Sequence, residues 1–268
     1  MKLLAKGFTL IELVTVLVLL GVLSVGISGF IGVTTQIYVD VTTRDELISS
    51  ARFSIERLNR ELRGALPNSI RTLSSGNSQC VEFTPAKLSA VYTQLAVAPD
   101  PASDQINIVR FFDTSLYSDS LDVIVYPLTP DDVYNSSDRR ASIDNLNQVA
   151  GNEWVLTLSA SKQFPQNSPT SRVYFIESPV AYCVTTDSAG LNGSLTRHQG
   201  YASYSANLPS PFSEGVLMAA SLNTAGSTPF RFADSTRQRN AIVLVNFTFE
   251  ENFESISFNN EIQVPNVP

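Results

Sequence analysis

Polarity varies least at the start of the chain. Residues 13–39 carry no charge and are dominated by Leu, Val and Ile, with Lys2 and Lys6 before the block and Glu12 at its edge. About 20 apolar residues cross a bilayer at roughly 1.5 Å of helical rise each, so the block predicts a membrane-spanning helix. The lysines should stay cytoplasmic, which places the rest of the chain outside. A secretory signal peptide would have a shorter apolar core followed by small residues at its cleavage site, an order absent here. A carboxylate at the edge of a span is costly unless neutralised, which marks Glu12 as a candidate functional residue against the alternative of plain solvation at headgroup depth.

Beyond Asp40 the helical pattern continues with a different symmetry. Val41, Ile48, Ile55 and Leu62 recur every seven residues, with Ala51, Leu58 and Ala65 between them, so one face is apolar. Arg52/Glu56, Glu56/Arg60 and Arg57/Glu61 stand four apart on the other faces, where opposite charges meet on a helix surface. Pro67 and Asn68 are the predicted stop. One helix over 8–66 would be roughly 89 Å long. A coiled-coil dimer stem is the alternative, but it would want Leu or Ile more regularly at the interleaved positions.

After residue 67 the period changes to two. Short β-branched or aromatic runs bounded by Asn, Asp, Gly or Pro predict strands at 81–84, 106–112, 121–126, 154–158, 172–176, 180–184, 241–250, 255–258 and 261–264. Val243, Val245, Phe247 and Phe249 alternate with Leu244, Asn246, Thr248 and Glu250, a half-buried strand whose apolar face suits the stem stripe. The polar stretches 87–105, 129–152 and 190–239 are too long for hairpin turns and are predicted to be surface loops or small subdomains.

Composition narrows the function classes. A net charge of −7 and a pI near 4.8 exclude a nucleic-acid binder, which needs a basic face. With one His and two Cys there is no zinc site of the usual spacing, and no phosphate-binding glycine loop or nucleophile elbow occurs. His198 lies in a polar stretch that predicts an exposed loop. Asp131, Asp132 and Asp138 cluster without calcium-loop spacing and read as a solvated loop. No catalytic set, metal or cofactor is therefore expected. Cys80 stands just before the predicted strand 81–84 and Cys183 inside 180–184; outside the cytoplasm an even pair reads as a disulfide, the alternative being two separate buried thiols.

The string Gly7-Phe8-Thr9-Leu10-Ile11-Glu12-Leu13, running into the uncharged block, closely resembles the prepilin signature of type IV pilins and type II secretion pseudopilins. The resemblance implies an α+β, type IV pilin-like fold: a long N-terminal helix, half transmembrane, packed on an antiparallel β-rich head. It implies a leader over 1–7, a membrane and filament-core half over 8–39, an amphipathic half over 40–66 and an extracytoplasmic head over 67–268. A prepilin peptidase would cut between Gly7 and Phe8 and methylate the new N-terminus. The loss of Lys2 and Lys6 leaves 16 basic residues against 25 acidic ones, a net −9. The free amine of Phe8 would then pair with Glu12 of a neighbouring subunit in an apolar filament core, each cancelling the other's desolvation cost. Many pilins carry a helix-bending proline about twenty residues into the mature chain; this chain has Gly21, Gly26, Gly29 and Gly32 instead. They suit either local melting, close helix approach or no special role.

The segment 51–63 and the closing strand resemble J-type pseudopilins and the minor pilins of the mannose-sensitive haemagglutinin pilus. By that resemblance the partners are the prepilin peptidase, other minor and major pilins and the inner-membrane assembly platform of a Gram-negative cell. The chain would be non-enzymatic, inserted in the inner membrane with a periplasmic head and then moved to the pilus. It would start a pilus or sit at its tip. A secretion pseudopilin is the first alternative. A tip adhesin is the second, with Tyr201, Tyr204 and Phe212 as candidate contacts.

Overall fold

The computed structural model describes residues 9–111, 114–118, 120–135, 137–148, 151–201, 215–234, 240–252 and 254–264. The first element is a single helix, α1 (Leu10–Arg63), of 54 residues, or about 81 Å at the α-helical rise. It begins two residues later than expected and stops before Pro67. Gly64 is its C-cap, its N–H reaching Glu61 and Leu62 carbonyls. No described residue covers the helix from Leu10 to Val39, so its aliphatic side chains stand exposed on every side. This helix is long and apolar enough to cross a membrane.

Only the upper part of α1 packs on the head. Its buried positions are Leu47, Ala51, Ser54, Leu58 and Leu62. Ala51, Leu58 and Leu62 of the expected stripe are buried, whereas Leu47 and Ser54 take the places expected for Ile48 and Ile55: Val41 is 55% exposed and Ile55 lies at the edge of the core. Spacings of four and three keep these five side chains on one face.

Among the described residues the head has fourteen strands: β1 (Arg71–Ser75), β2 (Ser78–Phe83), β3 (Ala86–Gln94), β4 (Ser103–Val109), β5 (Asp122–Val125), β6 (Arg140–Asn147), β7 (Glu153–Lys162), β8 (Arg172–Ile176), β9 (Val180–Thr185), β10 (Gly193–Gln199), β11 (Val216–Asn223), β12 (Phe230–Ala233), β13 (Ala241–Glu251) and β14 (Glu254–Val264). They form two bodies. One is an eight-stranded sheet in the order β1-β2-β9-β10-β11-β13-β12, with β14 added along β13. The other is a closed barrel, β3-β4-β7-β6-β5-β8. All these strand pairs are antiparallel. The expected α+β architecture, a long apolar helix followed by antiparallel sheets, is therefore present.

Each body has its own core. Val243, Val245, Phe247 and Phe249 of β13 bury their apolar face with Leu47, Ala51, Leu58 and Leu62 of α1, as their alternation predicts. Phe230 meets Phe247 edge-on, with ring centres 5.4 Å apart. In the barrel, Ile106, Ile108, Val123, Val125, Trp154, Leu156, Val173 and Phe175 fill the interior from alternating positions. Closure leaves these strands no free edge.

Two expectations about the head are corrected. The stretches read as loops supply β3, β6, β10, β11 and β12. β6 shows why: Ile143 is its one fully buried residue, so no period-two signal marks it. The two predicted strands at the chain's end are one continuous strand, β14, whose eleven residues pair with β13 from Glu254 to Val264. Asn259 and Asn260, which read as a break, face Asn246 and Val245 within the ladder.

The bodies meet near the top of α1. Leu66, just past the helix, packs with Ile124, Tyr174 and Ile176 of the barrel and with Val133 and Tyr134 of the short helix α2 (Pro130–Tyr134). The Asn68 side-chain amide donates to the Pro127 carbonyl at 3.0 Å.

Candidate assembly surface

The start of α1 is built by Thr9. Its backbone is extended, and its hydroxyl accepts the Glu12 N–H at 3.3 Å, which satisfies one of the amides left free at a helix start. Glu12 thereby occupies the third helical position, where a negative side chain complements the helix dipole. Its carboxylate projects from a helix turn that the rest of the chain leaves uncovered. Gly7 and Phe8 lie outside the described residues. An ideal Cβ at Gly21, Gly26, Gly29 or Gly32 would meet nothing within 4 Å, so no contact among the described residues requires those glycines.

Where α1 reaches the head, polar groups tie it to the sheet. The Ser54 hydroxyl is buried, 2.7 Å from the Met218 carbonyl of β11 and 2.8 Å from the Ser50 carbonyl. Glu61 accepts from Arg57 Nε at 3.0 Å and from Arg197 Nε of β10 at 2.9 and 3.1 Å. The Arg57–Glu61 spacing is thus realised, whereas among the described residues Arg52–Glu56 and Glu56–Arg60 form no ion pair. The Glu61 carboxylate holds the Arg57 guanidinium further above its ordinary pKa. Beside them Tyr182 is fully buried. Burial, then the negative charge of Glu61, raises its phenol above the usual tyrosine range. Among the described residues that hydroxyl has no hydrogen-bond partner.

On the opposite side of the sheet, Cys80 of β2 and Cys183 of β9 face each other in register and are joined by a disulfide with an S–S distance of 2.02 Å. Tyr201 and Ala181 pack around it. Tyr201 donates to Glu82 Oε1 at 2.7 Å, and Arg71 holds Glu82 Oε2 at 2.6 Å. Glu82 is 1% exposed, so this pairing is what makes its burial tolerable. The Arg71 guanidinium also lies 3.8 Å over the Tyr134 ring, whose hydroxyl donates to the Ser69 carbonyl at 2.8 Å. The network links β1, β2 and the segment after β10 to α2.

Several candidate residues take other roles than expected. Tyr201 is buried and hydrogen-bonded, which removes it as a surface contact. Tyr204 and Phe212 lie outside the described residues. His198 is a half-buried member of β10 rather than part of an exposed loop. Asp132 is no free ligand: Oδ2 accepts the Leu128 and Thr129 amides at 2.9 and 3.0 Å, and Oδ1 pairs with Arg139 at 3.3 Å. Asp131 accepts from the Asn135 side chain at 2.6 Å. Among the described residues no group of three His, Cys, Asp or Glu side chains is placed to hold a metal. The residues that sequence reasoning missed are Ser54, Glu82 and Arg197. A serine inside an apolar stripe is the one local signal that was present.

Comparison with known proteins bears on the N-terminus. Residues 4–28 match the family model of the prokaryotic N-terminal methylation motif. The match supports a type IV pilin-like protein. It embraces Gly7, Phe8 and Glu12 and runs into the uncovered part of α1, so the pilin-like start and the exposed apolar helix are one feature. An apolar helix in this place is consistent with the membrane anchor of such a protein. No curated protein and no solved structure matches the chain.

Proposed function

We propose that the chain is a minor pilin of a type IV pilus, acting at the start of assembly or at the tip. A prepilin peptidase cuts after Gly7 and methylates Phe8. The mature chain sits in the inner membrane by α1 with its head in the periplasm, then leaves the membrane into the filament with other minor and major pilins through the assembly platform. The observation that carries this reading is the methylation-motif match, continuous with a helix whose apolar side chains no described residue covers from Leu10 to Val39. Such a surface needs lipid or other helices around it. Glu12 then serves register, its carboxylate neutralised by the Phe8 amine of a neighbour. The two-body head favours a pilus end over a shaft, because a bulky head resists close repetition. The same features suit a secretion pseudopilin. The burial of Tyr201 weighs against the adhesin reading that used it.

The test is expression of the full chain with and without a prepilin peptidase, followed by N-terminal sequencing and mass measurement. A start at N-methylated Phe8 only with the enzyme is the expected result. A Met1 start in both cases would overturn the assignment.

A further inference from the structure

The cluster around Glu61 carries more charge than it cancels. Two guanidiniums, Arg57 and Arg197, share one carboxylate, which leaves an excess of one positive charge on the side of the stem. Arg197 also donates from Nη1 to Gln199, and Arg57 Nη1 lies 4.0 Å from the Met218 sulfur. Each guanidinium has five N–H groups, so the contacts named leave N–H groups of both unused among the described residues. The pair is unevenly covered: the Arg197 side chain is 9% exposed and that of Arg57 30%. One helical turn earlier on the same face of α1, Phe53 is 58% exposed. An aromatic ring and a half-covered cation thus stand together on an acidic protein.

This surface continues the uncovered apolar part of the helix. Phe53 is fourteen residues beyond Val39, about 21 Å further along the axis, so a second long helix lying on the apolar part runs on beside Phe53 and Arg57. Covering that face with an apolar partner alone would bury the excess positive charge without compensation, which is strongly unfavourable. A partner bringing one carboxylate makes the cluster two cations with two anions. Attraction between them strengthens as water is excluded.

We infer that Phe53, Arg57 and Arg197 form a docking site for the stem helix of another pilin-like subunit, one that presents an Asp or Glu beside an apolar side chain. The site selects its neighbour by charge: a stem with a neutral or basic residue at that level is rejected by the same desolvation cost that rewards the carboxylate. The inference rests on the pilin reading, because only a filament or membrane assembly lays a second helix there.

Site-directed photocrosslinking on the full-length chain in its native host tests it, with p-benzoylphenylalanine incorporated in place of Phe53. The expected adduct maps by mass spectrometry to a helical peptide of another subunit within one turn of an Asp or Glu. Its yield falls about fivefold or more in Arg57→Gln, as for loss of a partly desolvated charge pair. Neutralising the mapped carboxylate gives the same fall and adds nothing in the Arg57→Gln background. Oxidised Cys80–Cys183 and unchanged protease resistance show that Arg57→Gln keeps its fold. An adduct insensitive to Arg57→Gln, one mapping far from any carboxylate, or no adduct from a correctly processed chain would overturn the site. Failure of processing at Gly7 would instead overturn the pilin reading itself.

Discussion

Ser54 of the stem helix and Met218 of the sheet are joined by a buried hydrogen bond of 2.7 Å across the packed face. The bond places a hydroxyl where the apolar stripe would otherwise take Ala or Leu. Its loss leaves the Met218 carbonyl facing an apolar wall. We predict that Ser54→Ala lowers stability by about 1–2 kcal/mol. The midpoint of denaturant unfolding of the purified, detergent-solubilised protein measures this. An unchanged midpoint would mean that the carbonyl finds another donor.

The Cys80–Cys183 bond closes a loop spanning 103 residues and so restricts the unfolded chain strongly. Replacing both cysteines by alanine should cost about 3–5 kcal/mol in the chain-entropy account. The comparison is unfolding of oxidised wild type against the double variant. A loss below about 1 kcal/mol would show that the β2–β9 ladder holds register without the covalent tie.

Glu82, Arg71 and Tyr201 form a buried ionic triad, and its members should respond unequally. Glu82→Gln leaves Arg71 without its counter-charge and should cost about 3 kcal/mol or more. Tyr201→Phe removes one neutral donor and should cost about 1–2 kcal/mol. Equal losses in the two variants would contradict the charge argument.

Tyr201 also sets an alkaline limit. Burial and then the Glu82 carboxylate push its phenol up, so the native state keeps this proton at pH values where an unfolded tyrosine, with its ordinary value of 10.0, releases it. Above pH about 10 the unfolded chain binds fewer protons than the native one, and stability falls as pH rises. The contribution is full below that pH and is lost on the way to the raised native pKa. Tyr182 adds a fall of the same sign. Tyr201→Phe should flatten the decline by about 1.4 kcal/mol per pH unit between roughly pH 10 and 11. An identical slope in the variant would place the titration elsewhere.

Glu12 lies in the part of α1 that no described residue covers. Under the proposed function, Glu12→Ala leaves cleavage after Gly7 intact and lowers incorporation into filaments by about tenfold or more, because an uncompensated amine is buried at the interface. Immunoblotting of sheared pili against whole cells reads the ratio. Wild-type incorporation would count against amine–carboxylate pairing.

The parts legible in the sequence were those with strong local periodicity. The long helix, the strands β8, β9 and β13, and the apolar face of β13 follow from spacing alone. Glu12 stood out by its charge at the edge of the apolar block, and Gly7 and Phe8 by resemblance to the prepilin signature. The strands that escaped, such as β6 and β10, bury few apolar residues and owe their conformation to ladder partners distant in sequence. Ser54 was left out of the stem stripe for a related reason: it looks polar until the Met218 carbonyl is opposite it.

By itself, then, the sequence determined a membrane-length helix, a start that matches the N-terminal methylation motif, an acidic β-rich remainder and a pair of cysteines. Period and charge are properties of neighbouring residues, and those features need nothing else. Tertiary structure alone decided that the remainder splits into a sheet and a closed barrel, that Cys80 stands opposite Cys183, and that Glu61 of the stem is shared by Arg57 and Arg197. Each of these depends on which of many possible strand pairings is adopted. That choice is made by burying two separate cores at once, and no short window of the chain contains it.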